Sequence, residues 1–462
     1  MSLNRTTRDE WFRNKGSVLV IGYARSGAAA AELLTRHGFS VTVNDRLARP
    51  DSDETLERLE RAGVRFVFGD HPLSLLEQSW LFIVKNPGIP YHMPLIARAQ
   101  ERGIPIFTEI EIASWYTNSP IYSITGSNGK TTTTTLVGEM LDAAKMQPVV
   151  AGNIGTVVSG LVDSVRREQP IVLELSSFQL LGTEWFHPRI AALLNFYPAH
   201  LDYHGTFEEY QAAKWRMFRN MEAGDVAVLN RDQPLVAEGA TSLTADVHWF
   251  STEQLDFEHG AALVEGNIVL VKNGAHRVLL PVEEVALKGR HNLQNLLAAA
   301  AMAQAAGAFD DAIRHVARNF QGVEHRLELV RTVDGIRFYN DSKATNPDAC
   351  KQALHAFPKD VVWIAGGLDR GISFEDLVPD LRGRVKAAIL LGETKEKIAK
   401  ACALAGIEDV TLVSSLDEAV AAAKQRAVTG DVVLLSPACA SWDMFTSFEV
   451  RGSMFKEAVH RL

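Results

Sequence analysis

Short apolar runs alternate with amphipathic stretches along almost the whole chain. Ser17-Val18-Leu19-Val20-Ile21 ends at Gly22, and an Ala-rich helical stretch follows, closing near Gly38. Val41-Thr42-Val43 then ends at Asn44-Asp45, and similar runs lie at 81–84, 121–125, 171–175, 191–194, 361–365, 387–391 and 432–435. Runs that are apolar throughout, rather than alternating, predict strands buried on both faces. With helices between them, they predict parallel sheets of the α/β class. Two breaks divide the pattern: Asn118-Ser119-Pro120, just ahead of a strand, and Gln321-Gly322-Val323, after a long helical region. Three α/β domains are expected, at 1–118, 119–322 and 323–462. The Ala-rich segment 296–309 falls well short of a membrane span and is expected as a buried helix.

Composition narrows the class without changing it. A chain of 462 residues exceeds one hydrophobic core, and 47% hydrophobic with 22% charged residues describes a soluble globular protein. The net charge of −9, with no basic block, argues against a nucleic-acid partner. Cys350, Cys402 and Cys439 are scattered and fit reduced thiols in a cytoplasm. Residues 1–15 are polar, without the apolar centre of a signal peptide, and no membrane partner is expected.

The firmest chemistry lies after the strand at 121–125. Gly126-Ser127-Asn128-Gly129 is a tight loop, and Lys130-Thr131-Thr132 opens a helix. Such a loop turns backbone N–H groups toward a polyphosphate, and the helix N-terminus adds positive potential. Lys130 would neutralise phosphate oxygens and Thr131 would offer its hydroxyl to Mg²⁺. The common form of the motif has Gly where this chain has Ile124, so the string is a shortened G-x-x-G-K-T. The bland alternative is a glycine turn that caps a helix. A magnesium site also needs a carboxylate at a neighbouring strand end, and Glu174 supplies one. Read alone, Glu174 is as readily a strand-end surface charge. No Asn-Lys-x-Asp string for reading guanine is present.

Several segments together resemble the Mur ligases, ATP-dependent amide-forming enzymes of peptidoglycan precursor synthesis. Thr125 to Thr131 is similar to their ATP loop, and Gly289-Arg290-His291-Asn292-Leu293-Gln294-Asn295 to their central motif. His325-Arg326 looks like their hinge into the third domain. The resemblance implies a Rossmann-like first domain, a central P-loop-type ATPase domain and a Rossmann-like α/β third domain. It implies a monomer that binds ATP through residues 126–132, Asn292, Asn295, Arg326, Asp341 and Lys343. It also implies two Mg²⁺ ions, held by Thr131, Glu174, His200 and Lys214, with Lys214 carbamylated. From composition, a helical lysine such as Lys214 is a solvated surface charge, and a lone histidine is usually structural. Lys130, His200 and Lys214 are the catalytic expectations.

Asn340 to Pro347 and Leu435 to Ser441 resemble the branch of the family that adds D-glutamate to UDP-N-acetylmuramoyl-L-alanine. That branch implies Thr345, Arg370, Ser441 and the backbone near Phe448 as contacts for D-glutamate. Some members carry Lys where this chain has Arg370, and Trp442, which replaces a smaller apolar residue, is expected to pack the pocket wall. At the other end, Gly22-Tyr23-Ala24-Arg25-Ser26-Gly27 is nearly the dinucleotide fingerprint, with Ala24 for its middle glycine. Read alone, that fingerprint suggests NAD. The resemblance instead implies UDP, with diphosphate near Ser26, uracil near Asp45 and Arg46, and Gly88 in a second uridine-side loop. Asn153, in the loop 151–155, is implied at the sugar, with Ser176 and Gln179 as further contacts or simply helix-start residues. A folylpolyglutamate synthetase is the nearest rival, and the first domain and the 341–347 string argue against it.

Overall fold

In the computed structural model of the chain, residues 5–154 and 156–462 are described, the side chains of Arg5, Asp202 and Asp348 excepted. Gly155, the last residue of the loop singled out at the sugar end, lies outside them. Every apolar run named above is a strand, its ends displaced by no more than two residues. The chain divides into two compact units, one ending at Phe320 and the other Gln321–Leu462.

The first unit holds two sheets. In the first, β1 (Ser17–Ile21), β2 (Ser40–Asp45), β3 (Arg65–Phe68), β4 (Phe82–Lys85) and β5 (Ile106–Phe107) lie in the order β3-β2-β1-β4-β5, all parallel. The strand order reverses between β1 and β4, and open α/β sheets hold ligands in the crevice beyond such a point. The second sheet has nine strands: β6 (Ile121–Thr125), β7 (Val149–Gly152), β8 (Ile171–Glu174), β9 (Ile190–Leu193), β10 (Val226–Asn230), β11 (Asp246–Ser251), β12 (His259–Val264), β13 (Asn267–Lys272) and β14 (Ala275–Pro281). Their order is β14-β13-β12-β11-β10-β9-β6-β8-β7.

The second unit holds β15 (Glu328–Val333), β16 (Ile336–Asn340), β17 (Val361–Ala365), β18 (Val385–Leu390), β19 (Asp409–Leu412) and β20 (Val432–Leu435), in the order β15-β16-β20-β17-β18-β19.

Two places depart from the expected wholly parallel sheets. β12, β13 and β14 form an antiparallel meander, and β15 pairs antiparallel with β16. The links there are Glu265-Gly266, Asn273-Gly274 and Asp334-Gly335, and both residues of each pair have positive φ. Two-residue turns of this kind match the twist of a hairpin, so they fold the chain straight back instead of sending it over the sheet. The buried helix is Arg290–Ala305, buried from Asn295 to Ala303. Its expected end at Phe309 is corrected: Phe309 is exposed and caps the next helix, because Gly307 turns the chain at a φ of 92°. Among the described residues no helix is long and apolar enough to cross a membrane.

The segment after β5 ties the first sheet to the second. Glu111 is fully buried and accepts hydrogen bonds from the backbone N–H of Glu184 (3.0 Å), Trp185 (2.9 Å) and Phe186 (3.0 Å) and from Trp115 Nε1 (2.7 Å). Thr108 donates its hydroxyl to Gln179 O and its amide to Gly182 O. Trp11, on the helix Arg5–Asn14, meets Phe82, Phe107, Trp115 and Trp185 at centroid distances of 5.1, 6.2, 6.3 and 6.0 Å. Glu111→Ala would leave four donors without their acceptor, at about 1–3 kcal/mol for each that stays buried and unsatisfied. Urea unfolding of Glu111→Ala is therefore expected to show a stability loss of at least about 3 kcal/mol, with Glu111→Gln retaining part of it because one acceptor oxygen remains.

Candidate active site

The expected phosphate loop sits at the carboxyl end of β6, in the middle of its sheet. Gly129 has a φ of 82° and caps the helix Lys130–Ala143. A Cβ built on it would lie 2.1 Å from Asn295 Oδ1, so Asn295 packs directly beneath the loop. Asn195, just past β9, accepts from Asn128 N through Oδ1 (2.8 Å) and from Ser127 N through its carbonyl (3.0 Å). Ser127 Oγ lies 2.9 Å from Tyr210 Oη and donates to Tyr197 O at 2.9 Å. Lys130 Nζ donates to Gly126 O and Ser127 O, both at 2.9 Å. Asn292 donates instead to Lys288 O at 2.9 Å, within its own helix start.

β6 and β8 pair with Ile124 opposite Glu174, which puts that carboxylate at the mouth of the loop. Glu174 is buried, not a surface charge. Its Oε1 accepts from Asn153 Nδ2 at 2.8 Å, and among the described residues nothing donates to its Oε2. A buried carboxylate oxygen left without a donor costs free energy unless a cation meets it. With the buried Thr131, in the first turn of the helix Lys130–Ala143, this donor set fits a hard divalent cation.

Lys214, on the helix Phe207–Trp215, is also buried, contrary to the solvated charge that composition suggests. Nζ donates to Gly126 O (2.9 Å) and to Thr125 Oγ1 (3.3 Å) and lies 4.7 Å from the Tyr210 ring centroid. Burial first, then the nearby Lys130 ammonium, hold its pKa well below the usual lysine value, and Glu174 pulls the other way. His200 has a φ of 56° and starts the short helix Leu201–His204. A left-handed backbone at a non-glycine residue costs about 1 kcal/mol and tends to be kept where a side chain must be aimed. Its ring lies 4.9 Å from that of Phe178 and 6.4 Å from that of Tyr210. The structure thus gathers Lys130, Thr131, Glu174, His200 and Lys214 around the ends of β6, β8 and β9. Asn195 and Tyr210, which brace the loop, were missed because neither belongs to a string with a spacing of its own.

At the switch point of the first sheet lies a cavity of about 550 Å³, lined among others by Gly22, Ala24, Asp45, Arg46, Asn86 and Gly88. Asp45 accepts from Tyr23 N (2.5 Å) and Leu47 N (2.8 Å), which fixes the turn after β2. Asn86 donates to Ser26 Oγ at 3.2 Å, joining the two loops that form the cavity walls. A Cβ on Gly27 would sit 1.8 Å from Gly22 O, so glycine there lets the helix Arg25–Arg36 approach β1. Asn153, Ser176 and Gln179 are not brought to this cavity. Asn153 serves Glu174, and Ser176 and Gln179 form a capping box on the helix Ser177–Leu180.

In the second unit, β16 and β20 lie side by side, and the two expected strings meet at their ends. Asp341 accepts from Ser436 Oγ (2.8 Å) and Leu327 N (3.1 Å). Burial pushes its pKa up to about 7, against the pull of those donors and of Arg326 and Lys343. Lys343 N donates to His325 O at 3.0 Å, so the 341–347 loop packs on the segment that carries Arg326. Arg451, missed in the sequence, is buried and donates to Ser342 Oγ (3.0 Å), Ser342 O (2.8 Å) and Cys439 O (3.1 Å). Ser342 in turn donates to Phe448 O at 2.8 Å. The Gly366-Gly367 turn lies against residues 437–440, with Gly366 N donating to Pro437 O and Leu368 N to Ala440 O. Ser441 Oγ is buried, and among the described residues it has no partner. Trp442 packs no wall: it is exposed, and the Arg370 guanidinium sits 4.8 Å from its ring centroid. Thr345 is half-buried in the same loop as Lys343.

Three family models match in chain order: the Mur ligase MurD-like N-terminal domain at residues 16–108, the Mur ligase middle domain at 124–303, and the Mur ligase glutamate ligase domain at 325–439. The chain is 49% identical, over 96% of its length and 97% of the relative's, to a UDP-N-acetylmuramoylalanine–D-glutamate ligase of Geobacillus kaustophilus. It is 46% identical, over 98% of its length and 99% of the relative's, to the protein of the same description from Bacillus subtilis. Among solved structures it is similar in fold to MurF ligase from Thermotoga maritima in complex with ADP (TM-score 0.53, 17% identity, covering 91% of this chain and 95% of that one). A murein peptide ligase from Psychrobacter arcticus is similar to the same degree (TM-score 0.52, 18% identity, 96% and 99%). Gly129→Ala combines a strained φ with an overlap on Asn295. Calorimetry with a non-hydrolysable ATP analogue is expected to show binding weakened by about 1–3 kcal/mol.

Proposed function

The chain belongs to the Mur ligase family, and we propose on that footing that it joins D-glutamate to the alanyl carboxylate of UDP-N-acetylmuramoyl-L-alanine, using ATP and releasing ADP and phosphate. Near-full-length identity to relatives of that description carries the reading. Residues 1–118 are assigned to the UDP-sugar, 119–322 to ATP and 323–462 to the amino acid. The enzyme is assigned to the cytoplasm, as a monomer that supplies peptidoglycan precursors.

The loop N–H groups of residues 126–132 cradle the β and γ phosphates, and the Lys130 ammonium exchanges its two loop carbonyls for phosphate oxygens. Thr131 and Glu174 would hold one Mg²⁺, and His200 with Lys214 a second. Bound there, Mg²⁺ neutralises phosphate charge. As an ammonium, Lys214 would repel that ion. Its burial and the nearby Lys130 ammonium, against the pull of Glu174, support a neutral amine instead, which can take up carbon dioxide, lose a proton and become an anionic carbamate.

An oxygen of the alanyl carboxylate attacks the γ phosphorus. That P–O bond forms as the bond to the β,γ-bridging oxygen breaks, giving an acyl phosphate and ADP. The amine of D-glutamate then attacks the acyl carbon, phosphate departs with the C–O bond electrons, and the nitrogen loses a proton. The protein's share is positioning and charge neutralisation, which Lys130, Arg326 and Lys343 supply, with Asn292, Asn295 and Asp341 around the nucleotide. Thr345, Ser441, Arg370 on its Trp442 shelf and the backbone at Phe448 are assigned to D-glutamate. The unpartnered Ser441 hydroxyl supports this placement, since a carboxylate would satisfy it. Ser26, Asp45, Arg46 and Gly88 are assigned to UDP. Asn153, Ser176 and Gln179 would reach the sugar only by giving up their present partners.

Phosphate release with UDP-N-acetylmuramoyl-L-alanine and ATP should be stimulated by D-glutamate and not by L-glutamate or L-lysine; stimulation by another amino acid alone would sink the assignment. Lys130→Ala should lower kcat/KM by about 100-fold to 1,000-fold, as loss of a preorganised electrostatic contact does. Lys214→Ala should abolish turnover, with partial restoration by short carboxylates. Failure of every carboxylate tried would favour a purely structural lysine.

A further inference from the structure

Lys85, the last residue of β4, is fully buried and belongs to none of the sites above. Its ammonium reaches four neutral oxygens: Ile89 O (2.8 Å), Pro87 O (3.2 Å), Asn86 O (3.4 Å) and Tyr203 Oη (3.2 Å). It also lies 4.5 Å from the Tyr91 ring centroid. Burial lowers its pKa to about 7, so keeping a charge there costs free energy that these contacts must offset.

The carbonyls belong to the loop 86–90, and Asn86, Gly88, Ile89 and Pro90 form one wall of the first-sheet cavity. The phenol belongs to the segment that carries His200. Tyr203 itself donates to Pro87 O (3.1 Å) and Ile89 O (3.0 Å), and its ring meets Phe178 at 4.5 Å. Phe178 in turn contacts the His200 ring. One ammonium therefore stands where the cavity wall and the His200 turn touch. Both elements lie in the same compact unit.

We propose that Lys85 is a positioning residue for the nucleoside-diphosphate-sugar substrate: it holds the 86–90 wall in its binding shape and registers that wall against the segment 200–204. The ligand class follows from the wall it braces, a crevice at the switch point of a parallel sheet beside a helix N-terminus. The inference rests on the assignment of that cavity to the UDP-sugar. Its mechanism is simple: without the ammonium, three carbonyls lose their common donor, and the loop no longer has one preferred arrangement.

The test uses the full chain and UDP as probe, together with steady-state kinetics. In Lys85→Met, which keeps the apolar stem, the Kd for UDP and the KM for the UDP-linked substrate should rise about tenfold or more, as expected for lost hydrogen bonds to a charged group. The KM for ATP should stay within about twofold, because the phosphate loop is braced separately by Asn195 and Tyr210. Tyr203→Phe removes one partner while keeping the ring, and should raise the same KM by a smaller factor. It carries the test alone if Lys85→Met does not fold. Unchanged UDP affinity and KM in a folded Lys85→Met, or equal rises in the KM for ATP and for the UDP-linked substrate, would overturn the proposal. If the wild-type chain does not bind UDP, the assignment of the cavity fails instead.

Discussion

The arrangement around the phosphate loop turns on an electrostatic mismatch. Among the described residues no donor meets one buried carboxylate oxygen of Glu174, while the buried amine of Lys214 hydrogen-bonds neutral oxygens, lies over a ring and feels both the Lys130 ammonium and Glu174. Neither group would sit there for the stability of the fold, because each gives up hydration without a full return. The Glu174 oxygen would gain from a divalent cation, which an ammonium at Lys214 would repel. The mismatch is possible because the β6–β8 register sets Glu174 opposite Ile124, and because Gly152, at a φ of 105°, lets the next loop pass within contact of the Glu174 backbone.

Such a site requires rigid walls, and the first unit supplies them with buried polar ties. Glu111 collects three consecutive backbone N–H groups and an indole, and Asn195 clamps the loop from the side. The indole apart, each tie crosses between elements far apart in sequence. The Glu111 ties join the two sheets, which share one compact unit with the switch-point cavity and the phosphate loop. In the second unit Arg451 has the same part, holding Ser342 and Cys439 at the ends of β16 and β20.

Much of this was legible in the chain. Strands buried on both faces leave uninterrupted apolar runs, so β1, β2, β4, β6, β8, β9, β17, β18 and β20 could be read, while the interior strands β10 to β13 and β16 were missed. The edge strands could not, because β3, β15 and β19 are partly exposed and carry mixed residues. The hairpin links at Asn273-Gly274 and Asp334-Gly335 are strong turn strings, yet the surrounding α/β rhythm hid them. Within the site, the phosphate loop could be read because its chemistry is local: one strand, one turn and one helix start contain all of it.

Sequence by itself determined the α/β class, the strand, loop and helix start around Gly126 to Thr132 and, through resemblance, the family and its chemistry. Read alone, it left Glu174 balanced between surface charge and ligand and made Lys214 a solvated charge, with only the loop and the resemblance pointing to a metal, and it gave Ser176 and Gln179 two possible parts. Only the tertiary structure decided their burial and partners, since these depend on which distant segments pack together. It buried Glu174 and Lys214, closed Ser176 and Gln179 into a capping box, and exposed Trp442 beneath Arg370. Lys85 shows the limit most plainly. A lysine at a strand end has no local pattern to mark it, and its role exists only where Tyr203, more than a hundred residues later, comes to meet it.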